Sequence, residues 1–176
     1  MELLPVAVFF LIFYSYTKRF TWLCHVVLGI TLGLAPLGGW VAITGSITLA
    51  SLVFFATIVF WSAGFDIIYA CQDIEFDRKE GLYSIPSRFG IANALWTARI
   101  FHMLTAVGLL GLFFLTHLSW WYLAGLLIAY FLLYKEHRLV SPNDLSKLNA
   151  AFFTMNGILS CVVFAFTLVD VLVRRL

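Results

Sequence analysis

Three aspartates stand in one short run, Asp66-Ile67-Ile68-Tyr69-Ala70-Cys71-Gln72-Asp73-Ile74-Glu75-Phe76-Asp77. Continued as a helix at about 100° per residue, the run brings Asp73 to within about 20° of Asp66, with Asp77 about 20° away on the other side. Tyr69 and Ala70 flank the same face, and Ala70 leaves room beside the carboxylates. Like charges at this spacing repel by a few tenths of a kcal/mol per pair. A carboxylate in hydrocarbon costs a further ~2.5–3.5 kcal/mol at the bilayer centre and less toward the boundary. A bound cation relieves both costs. Oxygen donors with no Cys or His among them suit Mg²⁺, which uses one or two carboxylates and completes its shell with water and substrate phosphates. On charge alone, the run reads equally well as a solvated acidic helix end beside Arg78 and Lys79.

The residue pattern carries more than the charges. Asp66-x-x-Tyr69-Ala70-x-x-Asp73-x-x-x-Asp77, followed by Lys79, Gly81, Ser84, Pro86 and Arg88-Phe89-Gly90, resembles the second aspartate signature of the UbiA-type aromatic prenyltransferases. It is most similar to the bacterial 4-hydroxybenzoate polyprenyltransferase branch. Tyr14-Ser15-Tyr16-Thr17-Lys18-Arg19 resembles the Tyr-x-x-x-Lys cytoplasmic loop of that family, and Trp22 through Ala35-Pro36-Leu37-Gly38 resembles the helix that follows it. The resemblance implies a nine-helix fold, of which residues 1–176 correspond to the last six helices as one transmembrane domain. The family's first aspartate motif, an Asn-Asp loop between its second and third helices, has no counterpart here. Glu2, Glu136, Asp144 and Asp170 stand apart and do not replace it.

The same resemblance implies a chemistry and its residues. Mg²⁺ held by both aspartate motifs grips the diphosphate of a polyprenyl donor. Departure of the diphosphate leaves an allylic cation, which an electron-rich aromatic acid attacks ortho to its hydroxyl. Asp73 and Asp77 are the expected metal ligands, with Asp66 beside them, and Lys18 is the expected direct diphosphate contact. Tyr14, Arg19, Tyr69, Lys79 and Arg88 are expected to help bind substrate. The expected partners are a polyprenyl diphosphate, 4-hydroxybenzoate as acceptor, the lipid bilayer and the family's first three helices; without the last, the chain alone is expected to be inactive. Three alternatives stay open: a menaquinone-type naphthoate acceptor, a non-catalytic protein that binds isoprenoid diphosphate, and a transporter using Asp66 as an intramembrane relay.

Only an apolar scaffold can position these groups. Hydrophobic residues make up 62% of the chain and charged ones 11%, against about 25% charged in a soluble domain. The basic residues are too scattered to track a phosphate backbone, which argues against nucleic acid. Cys24, Cys71 and Cys161 lack the spacing of a disulfide framework or zinc site and read as small apolar residues. Six apolar runs, 3–16, 22–43, 47–69, 95–116, 120–134 and 150–173, predict an all-α bundle of six transmembrane helices. The connections alternate. Eight basic residues (Lys18, Arg19, Arg78, Lys79, Arg88, Lys135, Arg138 and Lys147) fall on one side, while Thr44–Ser46 and Thr116–Ser119 carry none. The positive-inside rule makes the basic side, and the aspartate run with it, cytoplasmic, and the resemblance implies a bacterial inner membrane. Gly29 and Gly33 predict a close helix contact, and Gly108 with Gly111 a weaker one. The histidines share no ligand spacing and are expected to pack. Asn156 is expected to bond a neighbouring helix, and Asp170 to pair with Arg174.

Overall fold

The computed structural model describes residues 3–175 and is all-helical apart from one isolated bridge, Ser141 to Asp144. Glu2 lies outside the described residues. The elements are α1 (Leu3–Thr17), α2 (Cys24–Thr44), α3 (Leu49–Ala70), α4 (Ile74–Lys79), α5 (Ile85–Phe89), α6 (Ile91–Thr116), α7 (Trp120–Leu139) and α8 (Asn156–Arg175). A 3₁₀ turn, Cys71–Asp73, joins α3 to α4, and a π-helical turn, Ala150–Met155, leads into α8.

The boundaries follow local chemistry. Gly45 ends α2 in the left-handed region, its N–H donating to the Val41 carbonyl. Thr48 and Ser51 form a reciprocal capping box at the start of α3, and Ser84 with Ser87 does the same for α5. The fifth apolar run extends past Tyr134, so Lys135 and Arg138 lie in the last turns of α7 rather than in a loop. At its other end, α7 is capped from α8. The Asp170 carboxylate accepts from the Ser119 N–H (2.8 Å), the Ser119 hydroxyl (2.6 Å) and the Tyr122 N–H (3.0 Å). An anion there satisfies donors left open at a helix N-terminus. Arg174 lies 3.4 Å from the same carboxylate, so the expected i,i+4 pair forms.

Large apolar side chains such as Leu11, Val107, Leu127 and Phe164 are exposed, while Thr57, Ser62, His102, Glu136 and Asn156 are buried. That inside-out distribution is what lipid selects. Four stretches are long and apolar enough to cross a membrane: Cys24–Thr44, Leu49–Lys79, Ile91–Thr116 and Ala150–Arg174. The apolar helix Leu4–Thr17 is shorter, and α7 ends in charged residues. Among the described residues, four helices thus have the length and apolarity of a membrane span, against the six expected.

Helix α3 is the centre of the bundle, packed on α2 and α6, while α7 pairs with α8. At Gly29 the backbones of α2 and α3 approach so closely that a Cβ would fall 2.4 Å from the Val59 carbonyl oxygen. The predicted small-residue contact is real there; of the second pair, Gly108 packs tightly against the Thr57 side chain of α3, while Gly111 has ordinary room. Trp96 and Trp120 are exposed near helix ends, as interfacial anchors should be. Trp61 is the exception: from mid-α3 its indole N–H donates to Asn156 Oδ1 at 2.8 Å. Asn156 in turn donates to the Ala151 and Phe152 carbonyls beside the π turn. No cysteine is in a disulfide; Cys24 and Cys71 are buried and Cys161 is exposed.

The connections expected on one face do meet. Ile67, Ile68 and Cys71 share a core with Ile85, Leu95, Val140, Leu148 and Ala151. This cluster ties the 71–90 and 140–149 segments to the lower end of α3, beside the 18–23 turn.

Candidate functional site

Helices α1, α2 and α3 converge at that end on a polar cavity of ≈ 390 Å³, lined by Tyr14, Ser15, Lys18, Cys24, His25, Asp66, Tyr69, Ala70 and Asp73. Two of the three aspartates are present. The third is not, and the cause is the 3₁₀ turn. Its residues advance about 120° each instead of about 100°, so three of them add about 60° to the helical phase. Asp77 is thereby rotated out of the expected shared face.

Asp77 is instead 1% exposed beside the cavity floor, and Lys18 donates from Nζ to both of its carboxylate oxygens at 3.1 Å. The Lys18 side chain remains 35% exposed and keeps its place in the lining. The backbone holds this pair in register. The Tyr83 N–H donates to the Lys18 carbonyl (2.7 Å) and the Leu82 N–H to the Asp77 carbonyl (2.7 Å). The loop after α4 thus clamps the turn after α1.

Asp66 is 21% exposed, and its Oδ2 lies 2.7 Å from Nδ1 of fully buried His25. The opposite ring nitrogen, Nε2, accepts the Ile85 N–H at 3.3 Å. That bond places the imidazole proton on Nδ1, where it is donated to Asp66. Ile85 starts α5, so the 80–90 segment orients His25 as it clamps Lys18. Sequence spacing alone predicts only a packing role for His25. The signal that could have found it was an ionisable residue just inside an apolar helix, seven positions after Lys18.

The remaining expected residues divide. Tyr69 lines the cavity and stacks on Phe152 at 4.2 Å, which ties α3 to the π turn. Tyr14 lines it from α1. Arg19, Lys79 and Arg88 are exposed and outside the lining. Arg19 sits over the Tyr16 ring and Arg88 over the Phe89 ring, at 5.6 and 5.7 Å.

The donor set suits a hard cation only in part. Among the described residues, Asp66 Oδ1 and the Asp73 carboxylate take no hydrogen bond, whereas both oxygens of Asp77 are occupied. No group of three or more His, Cys, Asp or Glu side chains forms a cage among the described residues. The Asp73 carboxylate and the one open oxygen of Asp66 fit Mg²⁺, which leaves most of its positions to water and phosphate oxygens. A larger apolar cavity of ≈ 560 Å³, between α3, α6 and α8, shares no lining residue with the polar one.

Comparison with known proteins adds a lineage to this geometry. The model of the UbiA prenyltransferase family matches residues 1–158. The 4-hydroxybenzoate solanesyltransferase of Synechocystis sp. is 34% identical over 157 residues, covering 86% of this chain and 52% of that protein. A 4-hydroxybenzoate octaprenyltransferase of Xanthomonas campestris is 32% identical over 133 residues, 73% of this chain and 44% of that protein. The chain spans about half the length of the curated relatives it matches. The apo structure of a UbiA homologue from Aeropyrum pernix K1 superposes with a TM-score of 0.83 at 27% identity, covering 95% of this chain and 62% of that one.

Proposed function

Since the chain belongs to the UbiA prenyltransferase family, we propose that it carries one half of the diphosphate site of an aromatic polyprenyltransferase of quinone biosynthesis. The donor is a polyprenyl diphosphate and the favoured acceptor is 4-hydroxybenzoate, which the names of the relatives specify. The observation that carries this reading is the convergence of Asp66, Asp73 and Lys18 on one cavity at a helix end.

Asp66 and Asp73 would hold Mg²⁺. The bound ion supplies charge neutralisation for the departing diphosphate. Lys18 presents an ammonium with three N–H donors; Asp77 anchors it from behind and leaves capacity for a phosphate oxygen. Asp77 thus becomes a positioning residue rather than a ligand. Tyr69, fixed by Phe152, forms an aromatic wall, and Tyr14 a second. Apolar helix surfaces exclude water that would quench the allylic cation. The C–O bond to diphosphate breaks, the ring carbon ortho to the hydroxyl forms the new C–C bond, and that carbon then loses its proton. Arg19, Lys79 and Arg88 lend diffuse attraction for a polyanion. The orientation we favour is six crossings of a bacterial inner membrane, with the cavity on the cytoplasmic side where the basic residues gather.

His25 serves by orienting Asp66. His25→Phe should weaken Mg²⁺ affinity by about ten- to a hundredfold, as loss of a supporting partner usually does, while His25→Asn keeps a donor and recovers part of it. Equal affinity in His25→Phe and wild type would remove the role.

The half-site proposal has its own test. A second acidic motif must face Asp66 and Asp73 to grip the diphosphate from both sides, and no other part of this sequence supplies one. Membranes containing the chain are incubated with labelled polyprenyl diphosphate and 4-hydroxybenzoate, with and without a co-expressed segment bearing the family's first three helices. Labelled product is expected only with the added segment. Product from the chain alone would overturn the half-site. Labelling of a naphthoate in place of 4-hydroxybenzoate would move the acceptor, and no product with any acceptor would leave an isoprenoid-diphosphate-binding protein.

A further inference from the structure

We propose that the π turn before α8 is a positioning element for the polar cavity: Asn156 holds Phe152 against Tyr69 and so sets the Tyr69 ring beside the bond that breaks. This rests on the prenyl-transfer reading above. Tyr69 stands three residues after Asp66 and four before Asp73, and all three line the cavity. Its ring therefore flanks the space where those carboxylates would gather the diphosphate, and with it the carbon that the diphosphate leaves. As the C–O electron pair departs with the diphosphate, the π electrons of the ring face the allylic cation left behind. The tyrosine itself gains and loses no bond.

The pose of that ring is set from the start of α8. Phe152 covers Tyr69 with 4.2 Å between centroids and 30° between planes, and Phe153 meets it edge-on at 6.0 Å. Neighbours in an α-helix point about 100° apart; the wider π turn narrows that angle and brings both rings to one partner. A side chain holds this turn. The Asn156 amide donates to the Phe152 carbonyl at 2.9 Å and to Glu136 Oε1 at 3.0 Å, with the Ala151 carbonyl at 3.3 Å. Its Oδ1 accepts the Trp61 indole N–H at 2.8 Å. An indole N–H can only donate and a backbone carbonyl can only accept, so the amide has one orientation. Asn156 and Glu136 are buried, where water does not compete for these bonds. Trp61 and Tyr69 lie eight residues apart on α3, about 12 Å along the helix axis. Phe65, between them, packs edge-on against both Trp61 and Phe152, at 5.4 and 5.3 Å. The start of α8 is thus fastened to α3 at two points, a hydrogen bond at Trp61 and a stacked ring at the cavity. Without the amide, the turn relaxes toward α-helical phase and carries Phe152 off the Tyr69 ring.

The test uses the chain reconstituted with the segment bearing the facing motif, and reads donor affinity and turnover separately. Asn156→Leu and Phe152→Leu should each lower turnover of geranyl diphosphate with 4-hydroxybenzoate about ten- to a hundredfold, as misplacing a group at a reacting centre does. Mg²⁺-dependent affinity for geranyl diphosphate should stay within about twofold, because Asp66, Asp73 and Lys18 are untouched. Phe152→Tyr keeps the ring and should keep turnover near the wild-type value. A role in folding alone would lower both readouts together. Wild-type turnover in Phe152→Leu overturns the proposal, as does a parallel fall of affinity and turnover in that variant. Should Asn156→Leu fail to fold, Phe152→Leu, whose side chain is only half-buried, carries both readouts. Absence of product from the wild-type assembly overturns the prenyl-transfer reading instead. The positioning is then judged by fluorine NMR of the chain labelled with fluorotyrosine, Tyr69→Phe identifying the resonance. A single Tyr69 line that splits or broadens in Phe152→Leu and Asn156→Leu supports it; an unchanged line in Phe152→Leu overturns it.

Discussion

Asp73→Asn should abolish Mg²⁺-dependent binding of a polyprenyl diphosphate, and Asp66→Asn should do so nearly as completely. Both carboxylates line the polar cavity and retain oxygens without a protein partner among the described residues. Asn preserves volume and polarity but removes the charge, so the loss reports on the cation rather than on packing. Charge-assisted contacts contribute about 1.5–3 kcal/mol each. Losing a metal ligand together with the phosphate contact that the metal bridges should therefore cost about 3–4 kcal/mol, several hundredfold in affinity. Asp77→Asn provides the contrast, because its oxygens are already engaged by Lys18; Mg²⁺ dependence should survive there. Calorimetric titration of geranyl diphosphate with and without Mg²⁺, on the chain reconstituted with the facing motif, separates the cases. Unchanged affinity in both Asp66→Asn and Asp73→Asn would return the acidic face to a solvated helix end.

Lys18→Met should destabilise the bundle as well as weaken the donor, because it strands Asp77. That carboxylate is 1% exposed, and Lys18 is the only ion-pair partner it has among the described residues. Removing one member of a buried pair costs about 3–5 kcal/mol, and the one-third exposure of Lys18 argues for the lower end of that range. For a domain of this size, about 3 kcal/mol corresponds to a fall of roughly 6–12 °C in Tm. Adding Asp77→Leu removes the stranded charge, and the double variant should regain most of the lost stability without regaining diphosphate affinity. Thermal unfolding in detergent and donor titration on the same three proteins give the two readouts. Recovery of both in the double variant would show that Lys18 is only structural. A fall in neither for Lys18→Met would show that Asp77 finds another partner.

Much of this was legible before any coordinates. Apolar runs in lipid must close their own hydrogen bonds, so composition alone led to helices, and Gly29 marked a close backbone approach between two of them. Asp66, Tyr69, Ala70 and Asp73 lie within eight residues of each other. Their common exposure to one cavity follows from helical spacing, and the motif around them was enough to indicate the family. Tyr14 and Lys18 also kept their places by the cavity, because both lie on or beside one turn of α1.

What the tertiary structure decided is everything that depends on phase or on distant partners. A three-residue 3₁₀ turn shifted Asp77 off the expected face, a local change that a uniform 100° projection cannot contain. Asp77 then found Lys18, 59 residues away, and Asp66 found His25, 41 residues away. His102 and His137, on separate helices and without ligand spacing, met at 3.0 Å. Spacing within one helix is set by backbone geometry and can be read along the chain. Contacts between helices depend on how loops return and how closely backbones approach, so a buried histidine or carboxylate reveals its partner only once the bundle has closed around it.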